Sequence, residues 1–79
     1  MLNEPDAIDR SLLLGQLIST ERHISAAAQN VLRQQSIIDE LERKGQDTTY
    51  ARSILRRLQD MQAVRVAERD RMRASLKSC

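Results

Sequence analysis

Leu41-Glu42-Arg43-Lys44-Gly45-Gln46-Asp47-Thr48 is the stretch that decides the fold. Arg43 and Lys44 place cations where a helix C-terminus presents unpaired carbonyls, and Gly45 suits the left-handed residue that closes a helix. Asp47 and Thr48 are both residue types that cap the start of a new helix. A stop and a restart this close together predict a chain reversal between two helices.

Upstream of the stop, a heptad can be laid down with Arg10, Leu17, Ile24, Val31 and Ile38 in one row and Leu13, Thr20, Ala27, Gln34 and Leu41 in the other. Seven of these ten are apolar, enough for one continuous helical seam. Pro5 with Asp6 and Asp9 suits a helix start. Downstream, Ala51, Ile54, Leu55, Leu58 and Met61 form a stripe that Met72 and Leu76 resume. The expected organisation is one helical-hairpin module over 1–79, with a tail at 1–6, helix 1 at 7–44, a turn at 45–48 and helix 2 at 49–77. The fold class is all-α: a two-helix antiparallel coiled-coil hairpin able to dimerise into a four-helix bundle.

Folding the chain about Gly45 opposes residues whose numbers sum to roughly 92 or 93. Leu41 then meets Ala51, Ile38 meets Leu55, Val31 meets Met61, Ala27 or Ala28 meets Arg65, Thr20 meets Met72 and Leu17 meets Leu76. Charge favours the same pairing. Residues 1–47 carry five basic and eight acidic side chains, and residues 48–79 carry eight basic and three acidic. Near the turn, Asp39, Glu40 and Glu42 are placed to approach Arg52, Arg56 and Arg57, pairs that set orientation more than stability.

Composition excludes most other classes. A 79-residue chain with Tyr50 as its only aromatic residue cannot wrap a conventional globular core. The single His23 and single Cys79 supply no metal-ligand spacing, and no glycine-rich phosphate loop or nucleophile motif is present, so neither a cofactor nor catalysis is expected. No apolar run approaches the roughly 20 residues of a membrane span. The acidic N-terminal segment is the reverse of a secretory leader, and Cys79 stands last instead of fourth from the end as prenylation requires. A soluble, cytoplasmic chain with a free thiol is the expectation.

Two surfaces are candidates for function. Leu12-Leu13-Leu14 with Leu17 and Ile18 is expected to extend past the end of helix 2, because helix 2 is too short to cover helix 1 much beyond residue 15. Either the first turns fold back at Gly15 or the patch formed by Leu13, Leu14, Leu17 and Ile18 contacts a second copy or another helical protein. The alternative surface is the basic face of helix 2, Arg52, Arg56, Arg57, Arg65, Arg69 and Arg73, which could track nucleic-acid phosphates. A net charge of +2 and the lack of stacking aromatics favour a solvated, ion-paired face there. Attachment of these arginines to anionic lipid is a weaker third option. Tyr50 is expected to pack on the end of helix 1, and His23 to flank the seam.

The segments Glu21-Arg22-His23-Ile24, Ile37 through Thr48, and Arg65-Val66-Ala67-Glu68-Arg69-Asp70-Arg71 resemble a group of small helical-hairpin proteins of rhizobial and related alphaproteobacteria. The likeness spans roughly residues 17 to 73 and is most specific at Glu-Leu-Glu-Arg-x-Gly-x-Asp-Thr. Those proteins often have histidine where Gln46 stands and an acidic residue near Tyr50. The resemblance implies a helical hairpin of bacterial cytoplasmic origin and carries no activity.

Overall fold

The computed structural model describes residues 7–77, and the expected N-terminal tail, Pro5 and Cys79 lie outside them. Two helices make up the architecture, α1 (Ala7–Arg43) and α2 (Thr49–Lys77), packed against each other as an antiparallel hairpin.

The reversal follows from the backbone chemistry of the turn. Gly45 takes a φ of 69°, its N–H donates to the Glu42 carbonyl at 3.0 Å, and the Gln46 N–H reaches back to the Leu41 carbonyl at 2.9 Å. These two bonds satisfy carbonyls that the end of α1 would otherwise leave open, in the pattern of a Schellman closure. Thr48 immediately precedes α2, its carbonyl accepting from the Arg52 N–H at 2.8 Å. Asp47 sits one residue earlier, where its Oδ1 accepts the Thr49 N–H at 3.0 Å and the Thr49 hydroxyl at 2.8 Å. The Thr49 backbone bond, followed by the hydroxyl bond, holds the Asp47 carboxyl below its ordinary value of 3.8.

The seam lies on the two expected rows of α1. Ile38 is fully buried and Thr20 is 6 % exposed, while Leu13, Leu17, Ile24, Ala27, Val31, Gln34 and Leu41 are half-buried between them. From α2, Ala51 is buried, and Leu55, Leu58, Gln62, Arg69, Met72 and Leu76 are half-buried. Thr20 Oγ1 donates to Met72 Sδ at 3.8 Å, which fixes the far end in register. Gln34 Nε2 donates to the Ala51 carbonyl at 3.0 Å, so the polar group in the near seam is satisfied and its position is specified.

Three expectations are corrected, and one of the two alternatives for the first turns of α1 is excluded. Met61 does not face Val31; it is 58 % exposed, because the phase that seats Ala51, Leu55 and Leu58 reaches the seam next at Gln62. Tyr50 is 77 % exposed and does not pack on α1. The first turns of α1 do not fold back: the helix runs unbroken through Gly15 to Ala7, and Arg10 Nη1 reaches the Leu76 carbonyl at 3.4 Å, placing a cation at the C-terminal end of α2. Of the acidic trio near the turn, only Glu42 pairs across the hairpin, with Arg52, whereas Glu40 pairs with Arg43 and Lys44 of its own chain segment.

Two glycines give opposite expectations. A Cβ added at either Gly15 or Gly45 meets nothing within 4 Å, so the outcome is set by backbone conformation alone. Gly45→Ala should destabilise the hairpin by about 1–2 kcal/mol, because an L-residue is strained at positive φ. Gly15→Ala should stabilise it by about 0.5–1 kcal/mol through helix propensity. Urea unfolding followed by circular dichroism checks both signs. The Asp47 carboxyl, lowered in the fold, contributes stability above 3.8 that is lost as pH falls through its folded value. The difference in thermal midpoint between wild type and Asp47→Ala should therefore be full at neutral pH and close in strong acid.

Candidate interaction faces

Helical periodicity gives the hairpin two flanks beside the seam, and cross-hairpin contacts identify each. Arg73 Nη2 donates to Glu21 Oε2 at 2.5 Å and Arg52 pairs with Glu42, so Glu21, Ala28, Gln35 and Glu42 of α1 share a flank with Arg52, Gln59, Val66 and Arg73 of α2. On the other flank, His23, Ala26, Ala27 and Asn30 face Met61 and Arg65 across a groove of about 180 Å³. The small side chains of Ala26 and Ala27 open that groove beside Arg65.

The flank marked by the two ion pairs carries a second row along α1. Leu14, Ile18, Glu21, Ser25, Ala28, Leu32 and Gln35 recur at alternating steps of four and three. Leu14, Ile18 and Leu32 are 42 %, 51 % and 64 % exposed. Leu13 and Leu17, expected to share the contact patch with Leu14 and Ile18, instead lie half-buried in the hairpin's own seam. The structure thus divides the four into two seam residues and two outward-facing ones. Leu32 joins the outward pair. Sequence reading missed it because it is isolated between Val31 and Arg33 in the linear chain, and only the four-and-three spacing from Leu14 and Ile18 could have found it.

The arginines divide similarly. Arg52 and Arg73 pair across the hairpin, and Arg65 and Arg69 pair with Glu68 and Asp70 on α2 itself. Arg56 and Arg57 have no ion pair among the described residues, so the six do not form one free cationic track. His23 is exposed on the rim of the groove. Among the described residues no group of three His, Cys, Asp or Glu side chains could hold a metal ion, and no helix is long and apolar enough to cross a membrane. No family model, curated protein or solved structure matches the chain.

Proposed function

We propose that the hairpin is a non-enzymatic helix-association module, a protein–protein interaction or oligomerisation element that works by laying an exposed apolar row against another helix. The observation that carries this reading is the imbalance between core and surface. Ile38 and Ala51 are the buried apolar residues, while Leu12, Leu14, Ile18, Leu32, Ile37, Met61 and Val64 remain large and exposed. Leu14 and Ile18, with Leu32, form the contact row.

A cytoplasmic, bacterial setting belongs to the same proposal, supported by the composition and by the resemblance to alphaproteobacterial hairpin proteins. A second reading, a nucleic-acid-associated regulator using the arginines of α2, draws its support from Arg56 and Arg57, which no carboxylate neutralises among the described residues.

The test compares wild type with a Leu14→Glu plus Ile18→Glu variant. Both positions are exposed in the hairpin, so helicity should be retained, whereas burying two carboxylates in a partner contact should weaken association about 100-fold or more. Complexes captured from the native cell, and the dependence of thermal midpoint on protein concentration, should both be lost in the variant. Association unchanged by both substitutions would sink the assignment. A salt-dependent shift of a labelled duplex, abolished by Arg56→Ala with Arg57→Ala, would favour the nucleic-acid reading instead.

A further inference from the structure

The partner of the exposed row can be named from the row itself. Read from its N-terminal end, the row of Leu14, Ile18, Glu21, Ser25, Ala28 and Leu32 runs apolar, apolar, polar, polar, apolar, apolar. Turned end for end it reads the same, and its midpoint is His23. A surface that matches its own reverse fits an isologous twofold contact, in which each residue meets its mirror position on the other copy.

We infer that the hairpin forms a twofold homodimer in which α1 lies antiparallel to α1 of a second copy, with the dyad passing at the level of His23. This rests on the association reading and names its partner: a second copy of this chain. Residues whose numbers sum to 46 then oppose each other. Leu14 meets Leu32 of the other copy at both ends of the contact, and Ile18 meets Ala28, a large-against-small match. Glu21 opposes Ser25, so no carboxylate faces a like charge along α1.

The same dyad fixes which charges of α2 meet. Thr20 with Met72 and Glu21 with Arg73 put residue 70 level with residue 23, so Asp70 sits at the dyad on the same flank as Arg73. Turning the copy end for end brings the two Asp70 side chains to the same level, each paired with Arg69 of its own chain and within one helical turn of the other copy's Arg73. The arginines near the turn, Arg52, Arg56 and Arg57, fall beyond the end of the other copy's α2, so the two basic arms do not confront each other there. The hairpin measures 65 by 16 by 14 Å. Opposed about residue 23, α1 overlaps its copy over residues 7–39, a length of about 50 Å.

A charge-complementation experiment tests the register. Leu14→Lys and Leu32→Glu are each expected to weaken self-association about tenfold or more, because each buries two charges against leucine in its own homodimer. Mixing the two variants should restore dimer, since the lysine introduced in one chain then meets the glutamate introduced in the other, and the remaining Leu14 and Leu32 meet each other. The two positions lie about 27 Å apart along one helix, too far to compensate within a chain. Sedimentation reads the outcome, and circular dichroism checks that each variant remains helical. In a Cys79→Ser background, spin labels at Gln46→Cys should lie about 65 Å apart, because the turns occupy opposite ends. A dimer that mixing does not rescue, or turn labels within roughly 30 Å, overturns this geometry while leaving association intact. A wild-type chain that stays monomeric at tens of micromolar overturns the homodimer altogether, and the association reading then stands or falls on the partners captured from cells.

Discussion

A chain of two helices has one seam, and every other property of this molecule follows from that constraint. Each helix can hide a narrow stripe from water against its neighbour, while the remaining surface of both must be solvated or covered by something else. The result is a fold in which Ile38 is fully buried and most other seam residues are half-buried. Such a seam specifies pairing by placing satisfied polar groups at fixed levels. Gln34 bonded to the Ala51 carbonyl and Thr20 against Met72 act in this way, because shifting either helix would strand a polar group in the interface.

The turn makes that seam possible. Its closing bonds run from Gly45 and Gln46 to Glu42 and Leu41, while Asp47 and Thr48 satisfy the start of α2. These groups are local in sequence, which is why the reversal was legible there: each residue type has its own reason to stand where it does. The two rows of α1 were legible for a related reason, since four-and-three spacing persists unbroken from Arg10 to Leu41. The stripe of α2 was less so. Ala51, Leu55 and Leu58 fix the phase, yet Met61 is apolar and Gln62 is not, and composition pulls the reading one residue off the geometry. Burial follows phase here, leaving methionine on the rim and glutamine in the seam.

Ion pairing shows the limit of charge reasoning in the same way. The acidic and basic halves of the chain suggested a cluster of cross-hairpin bridges at the turn, but Glu40 finds Arg43 and Lys44 within reach on its own segment, and Asp39 accepts from Gln35. Side chains three and four residues apart on a helix are closer than most groups across a seam, so local partners take precedence. Glu42 and Glu21, on the flank nearest α2, do cross to Arg52 and Arg73. Those two bridges are exposed and energetically small, yet they identify which side of each helix shares a face.

That identification gives the exposed leucines a meaning that the linear sequence withheld. Leu14 and Leu32 are eighteen residues apart and look unrelated, one in a leucine cluster and the other alone. On the folded hairpin they lie on one flank with Ile18 and Ala28, and the helix that bears them is already supported on its seam side. A supported helix with a second apolar row differs from an exposed amphipathic helix in one respect: it needs no ordering to present that row. The conformational cost of association has been met in the hairpin, so burial on contact is opposed chiefly by the loss of rigid-body freedom and of side-chain rotamers at the contact. A single seam too narrow to hide both rows therefore leaves a preorganised surface, and in the proposed dimer the constraint that limits the core of one copy would supply the means of joining two.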